Sequence, residues 1–155
     1  MKLFEEARAE YVDVGAGPLV LETDARIAEC SVFKGDAATV LSLTGSALQR
    51  AESLGGMGPQ VAMLHRLAGY AHIQRGELPT ARASLDESLE VGRARQAEFE
   101  VALTLKALAE LSLVEGEAEA ADALQSQSRV TLHRLHVVWM PRTPLEGGSP
   151  ASGTS

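Results

Sequence analysis

The histidines are the first residues of this sequence that could carry chemistry. His133 and His136 are three residues apart and could share one helix face. His65 and His72, seven residues apart, could share another. A structural or catalytic zinc ion needs three or four protein ligands, and no third ligand lies at a defined spacing from either pair. We therefore predict no metal site.

Carboxylates and the single cysteine are the other reactive groups. Glu5-Glu6, Asp86-Glu87 and Glu98 with Glu100 could form pairs for acid–base catalysis, but such pairs need burial to adjust their pKa values, and these lie on helix faces predicted to be solvated. Cys30 has no histidine near it in the sequence that would activate a nucleophile, so we interpret it as a small core residue. The sequence predicts no catalytic residue, no cofactor and no enzyme.

A glycine-rich stretch at 53–59 (SLGGMGP) raises the question of phosphate binding. A phosphate-binding loop follows a strand and ends in Lys-Ser or Lys-Thr at the start of a helix. No strand is predicted before this stretch and no such pair follows it. We predict instead that it separates two helices, with Pro59 in the first turn of the second one.

Charge and apolar content limit the partners and the compartment. The net charge is −7 and the 14 basic residues are scattered, whereas a nucleic-acid surface needs clustered Lys and Arg. No apolar run approaches the roughly 20 residues that span a bilayer, and the start of the chain passes directly into Glu5-Glu6 without a signal peptide. One cysteine allows no intramolecular disulfide, which fits a reducing compartment. We expect no nucleic acid, no membrane and a cytoplasmic location.

Helical spacing of the apolar residues and the scarcity of aromatic ones predict an all-α fold. The clearest unit is 64–93, a helical hairpin with Gly76 in its turn. Aligning the chain on Gly76 places Gly35 41 residues earlier and Gly116 40 residues later, in matching turns. The sequence therefore predicts a helical repeat with a period of about 40 residues.

About seven helices and no sheet follow from this repeat. Their predicted ranges are 3–14, 19–33, 37–54, 59–74, 78–95, 98–114 and 118–135. Residues 1–140 are expected to form one repeat domain of three hairpins and a leading helix, in which Val137–Met140 folds back as a cap. The Gly- and Ser-rich residues 141–155 are expected to be a disordered tail.

The leading helix, 3–14, has no predicted helix before it to cover Leu3, Phe4 and Tyr11. It could cap the array or be the last part of a longer one. Large apolar side chains left in water favour burial against another surface. This helix therefore also suggests a homo-oligomer in which it contacts a second copy of the chain.

Small or compact residues recur at corresponding positions of the three hairpins. They are Ala28, Gly69 and Ala109 in the first helices, and Val40, Ala81, Ala121, Ala47, Ser88 and Ser128 in the second helices. This pattern, over about residues 3–136, resembles the tetratricopeptide repeat (TPR), although the family consensus of 34 residues is shorter. Long-period arrays of this kind look like those at the C-terminal end of bacterial signalling ATPases and transcriptional regulators. The resemblance implies a right-handed TPR-like α-solenoid, and no nucleotide-binding motif of those larger proteins is present.

In TPR-like arrays the first helices of successive hairpins line a concave groove that binds peptides. The positions of this sequence that match are Glu29, Met63, Arg66, Tyr70, Ile73, Lys106, Glu110 and Leu113. Arg66, Tyr70 and Lys106 are expected to point outward and to attract an acidic protein or peptide segment. The alternative is that these side chains pack between hairpins or face water.

Two functions are therefore expected from the sequence. The first is a non-enzymatic protein–protein interaction module or scaffold, acting as a sensory or regulatory portion of a bacterial signalling or transcription system. The alternative is a structural oligomerisation unit that self-associates through its leading helix.

Overall fold

The computed structural model describes residues 1–55, 60–138 and 142–145. In this part of the chain there are seven α-helices and no strand. They are α1 (Lys2–Asp13), α2 (Gly17–Phe33), α3 (Ala37–Ser53), α4 (Val61–Gln74), α5 (Leu78–Ala94), α6 (Glu98–Val114) and α7 (Ala118–Arg134). The all-α class and the number of helices are confirmed, and every helix end lies within two residues of its predicted position. Pro59, predicted to start a helix, lies outside the described residues.

The helices end in one kind of turn, repeated every 20 or 21 residues. Positive φ angles mark it at Gly15, Gly35, Gly55, Gly76, Gln96, Gly116 and His136. The next residue returns its backbone N–H to the helix, as Glu77 does to the carbonyl of His72 at 2.9 Å, which is the Schellman arrangement. Glycine is favoured there because it has no Cβ to clash. Gln96 and His136 replace the glycine at two of the seven turns, and they keep the same left-handed conformation.

The starts of the helices are set by caps and prolines. The backbone N–H of Thr39 donates to Asp36 Oδ1 at 3.1 Å, so Asp36 is the N-cap of α3. The hydrogen bonds from Thr39 lower the pKa of the Asp36 carboxyl, because they favour its charged form. Pro18 and Pro79 lie in the first turns of α2 and α5, where a missing N–H does no harm.

The first helices of the three hairpins form one face of the molecule. Each helix packs against its neighbours in the chain, and α4 also contacts α2 and α6. The second helices α3, α5 and α7 do not contact one another in the described part of the chain. The helices α2, α4 and α6 therefore lie side by side with the others behind them, as expected for stacked helical hairpins.

The central hairpin, α4 with α5, holds much of the core. Leu64, Leu67 and Tyr70 of α4 are buried together with Leu85 of α5 and Leu111 of α6. Almost every residue of α4 is buried, because four other helices, α2, α3, α5 and α6, contact it. The core therefore runs without interruption from one hairpin to the next.

A hydroxyl-to-backbone hydrogen bond recurs inside two hairpins. Ser88 Oγ of α5 donates to the carbonyl of Ala62 in α4 at 2.7 Å, and Ser128 Oγ of α7 donates to the carbonyl of Ala102 in α6 at 2.7 Å. Ser88 also lies 2.8 Å from the hydroxyl of Thr104 in α6. Both serines are among the small residues whose recurrence was noted in the sequence, so the recurrence reflects close contact of paired helices.

Within the described residues, helix α1 packs against α2 alone. Arg8 forms an ion pair with Asp24, whose carboxylate is fully buried in α2, and its Nη2 lies 3.5 Å from Asp24 Oδ2. No residue of α1 is itself buried, and Leu3 is 80% exposed. The side of this helix that faces away from α2 is therefore not covered by any described part of the chain.

The chain after α7 differs from its prediction. Val138 is fully exposed, so the predicted cap is wrong at this residue, while Trp139 and Met140 lie outside the described residues. Residues 142–145, predicted to be disordered, instead pack on the helices: Thr143 is buried and Leu145 contacts the core. Residues 146–155 lie outside the described part. Among the described residues, no helix has both the length and the apolar character needed to cross a bilayer.

Candidate protein-binding groove

The residues predicted to line a concave face do lie on α2, α4 and α6, but half of them are buried. These four are Met63, Arg66, Tyr70 and Ile73, all on α4. Arg66 is 8% exposed and Tyr70 only 2%, so neither is exposed to solvent as expected, although both line a cavity on this face. The reason is the central place of α4, whose sides are covered by α2 and α6. Leu113 on α6 is exposed, and Glu29, Lys106 and Glu110 are partly exposed.

Arg66 is engaged in an ion pair between α4 and α6. Its Nη2 and Nε lie 3.1 and 3.3 Å from Glu100 Oε2, and both side chains are largely buried. Since a neighbouring carboxylate compensates its charge, Arg66 is not a cation offered to a partner. Its role is to join the two first helices.

A groove nevertheless runs across α2, α4 and α6. At one end a cavity of about 70 Å³ brings together Glu29, Arg66, Tyr70 and Lys106, four of the predicted residues. Phe33, Leu67 and Leu103 complete its walls on the helices. At the other end a larger hollow of about 330 Å³ is lined by Lys106, Ala109, Glu110, Leu113, Val114 and Gln125. We call these two hollows together the front groove.

Residues 142–145 lie along the front groove. Arg142, Thr143 and Pro144 line the smaller hollow, and Leu145 lines the larger one. The sequence did not predict these four residues as part of the site, because the composition of the surrounding stretch is that of a tail. The available signal was the apolar Pro-Leu pair directly before the Gly- and Ser-rich residues.

Exposed apolar side chains flank the groove. Phe33 on α2 and Leu113 and Val114 on α6 each leave about half of their surface in water, and Lys106 lies between them as a lining residue of both hollows. Apolar contacts supply binding energy and a neighbouring charge supplies orientation. The groove can therefore bind a protein segment of mixed character.

A second, open cleft of about 750 Å³ lies at the junction of α5, α6 and α7. The charges on its rim are paired, since Arg134 Nη2 lies 2.6 Å from Glu98 Oε1. Phe99 is its exposed aromatic residue. The pairing makes this cleft a less suitable binding site than the front groove.

The two histidines of α4 are either hydrogen-bonded within the protein or partly buried. His72 Nδ1 lies 2.6 Å from Glu77 Oε2, and this hydrogen bond lowers the pKa of Glu77. Partial burial lowers the pKa of His65, with nearby Glu87 opposing the shift. Within the described residues, no three His, Cys, Asp or Glu side chains are grouped so that they could hold a metal ion.

No model of a known protein family matches the chain, and searches among curated proteins and among solved structures found no match. The function must therefore be inferred from the groove itself and from the TPR-like pattern of small residues.

Proposed function

We propose that this protein is a non-enzymatic protein-interaction module that binds a segment of another protein in the front groove. The proposal rests on the exposed apolar rim of the groove. Leu113 contributes most to this rim and lies beside Lys106, on the face formed by α2, α4 and α6. An exposed apolar surface next to a charge is typical of binding sites, because burial in the complex stabilises it.

The repeat pattern supports the same function. Arrays of helical hairpins expose an extended face to protein partners, and the TPR-like small residues give this chain such a face. By resemblance to the arrays of bacterial signalling ATPases and transcriptional regulators, we place it as a cytoplasmic scaffold or sensory portion of a regulatory system. In this proposal the ionisable side chains of α4 stabilise the fold and do not take part in catalysis, as in the ion pair between Arg66 and Glu100.

The test is a matched pair of substitutions in the full chain. Leu113→Asp places a charge on the groove rim, whereas Val130→Asp places the same charge on the exposed surface of α7; the two residues are 59% and 69% exposed. We expect the Leu113→Asp protein to lose partners captured from a lysate of its source organism at physiological salt, while Val130→Asp keeps them. Unchanged capture by Leu113→Asp, with helicity intact, would overturn the proposal.

A second candidate function is a structural unit that self-associates through α1. It is favoured by the exposed apolar side chains of α1, with Leu3 on one flank of the helix and Val12 on the opposite flank. The homo-oligomer would bury one of these flanks against a second copy. This candidate does not require the front groove.

A further inference from the structure

The segment 142–145 lies along the front groove, although Val138, the last residue described before it, is not covered. Val138 is fully exposed, whereas Thr143 is 7% exposed and Leu145 packs against the core. Fixing four irregular residues on a surface loses conformational entropy, which their contacts must offset. The segment therefore shows which side chains the groove accepts.

The residues of the segment line different parts of the groove. Arg142 lines the smaller hollow together with Glu29, whose carboxylate lies 3.2 Å from Arg26 Nη1. Thr143 and Pro144 line the same hollow near Tyr70, where proline has no N–H to satisfy. Leu145 lies in the larger hollow.

That larger hollow is mainly apolar where Leu145 enters it. Ala109, Leu113 and Val114 of α6 contribute its apolar wall. An aliphatic side chain fits there, whereas a carboxylate would lose its hydration beside Glu110, which carries the same charge. The segment thus places a basic, a hydroxyl, a proline and an aliphatic residue, in this order, along the groove.

We propose that residues 142–145 are an internal ligand of the front groove, and that the partner is a non-helical protein segment with the same order of residue types, which must displace them. This inference rests on the proposed protein-binding function of the groove. A ligand tethered in the same chain has an effective concentration in the millimolar range for short linkers. If its intrinsic Kd is about 0.1 mM, it weakens binding of a competing segment roughly tenfold.

The test uses full-length proteins and a fluorescein-labelled peptide of the sequence of residues 141–148, PRTPLEGG. In the released variant, Thr143→Glu combined with Leu145→Glu drives the internal segment out of the groove. Fluorescence anisotropy should show that this variant binds the peptide about tenfold more tightly than the wild-type chain. The control is the same peptide with Leu145→Glu, which should bind neither protein.

Equal binding of the peptide to both proteins would overturn the internal-ligand role. Absence of binding to the released variant, with unchanged helicity, would overturn the assigned ligand chemistry. Both failures are distinguishable from failure of the proposed function, which the Leu113→Asp capture experiment tests without the peptide. If the double substitution unfolds the chain, Leu145→Ser alone serves as the released variant. In a further control, Leu113→Asp added to either released variant should abolish peptide binding.

Discussion

Gly69 of α4 lies directly against Leu85 of α5, so closely that a Cβ atom built on Gly69 would be 2.6 Å from Leu85 Cγ and Cδ2. Leu85 is fully buried in the core. The approach of these two residues brings the backbones of the central hairpin together, and the carbonyl of Ala81 lies 3.5 Å from the same position.

We expect Gly69→Ala to destabilise the protein, because overpacking of a filled core costs about 1 to 3 kcal/mol, more than the helix propensity gained. Gly45 of α3 is the matched control: it lies inside a helix, is exposed and has no atom within 4 Å of a built Cβ. Gly45→Ala should stabilise by about 0.5 to 1 kcal/mol. Urea unfolding of the two variants measures both changes, and a neutral or stabilising Gly69→Ala would contradict the close approach.

Gln96 has a left-handed backbone, with φ of 56°, at a turn where five equivalent positions have glycine. We expect Gln96→Gly to stabilise the protein by about 0.5 to 1 kcal/mol, because the left-handed conformation is unfavourable for a residue with a Cβ, an effect larger than the entropy lost by glycine. Ala94→Gly, at the end of α5 and in helical conformation, should instead destabilise. Thermal unfolding distinguishes the two, and a lowered Tm for Gln96→Gly would contradict the equivalence of the turns.

We expect the free energy of unfolding to decrease at acidic pH because of His65. Burial lowers the pKa of His65 below its ordinary 6.5, so in this range the unfolded chain binds more protons than the folded one. The stability due to neutral His65 is fully present above pH 6.5 and is lost as pH falls from there through the lowered pKa. Urea unfolding between pH 7.5 and about 5 should show this loss. His65→Gln should make the free energy of unfolding depend less on pH. His133→Gln, at an exposed position of α7, should leave this pH dependence unchanged. If His65→Gln also leaves it unchanged, His65 is not the group responsible.

Self-association through α1 is expected to depend on concentration. Leu3 and Val12 leave large apolar surfaces in water, and burial of the flank that holds Leu3 against a second copy would stabilise a dimer by the hydrophobic effect. Sedimentation equilibrium should show a dimer at high protein concentration for the wild-type chain and a monomer for Leu3→Glu. Val130→Glu, at another exposed apolar residue, should still dimerise. A wild-type chain that stays monomeric at all concentrations excludes this interface.

The helices could be predicted closely because local signals determine them. Turn glycines such as Gly76, prolines in first turns and the cap at Asp36 each act within a few residues, so the sequence shows where helices begin and end. The exposure of individual side chains could not be predicted in the same way. Arg66 and Tyr70 were assigned to the surface by their position in the repeat, but α4 is surrounded by four helices.

A signal for the burial of α4 was present in its composition. Apolar residues occur all around this helix, and a helix that is apolar on every side belongs in the interior. For residues 142–145 the only local signal is the Pro144-Leu145 pair, because the contacts of the segment with α4 and α6 join positions far apart in the chain. A Gly- and Ser-rich stretch next to them favours disorder when it is considered alone.

The most direct measurement of the proposed function is site-specific photo-crosslinking of the full chain in cells. A photoreactive phenylalanine analogue replaces Leu113 on the rim of the front groove or, as the control, Val130 on α7, both exposed in the monomer. We expect the analogue at position 113 to crosslink to one defined segment of a partner protein, identified by mass spectrometry, and the analogue at position 130 to give no such product. Crosslinks at position 130 without any at position 113 would show that the front groove is not the binding site.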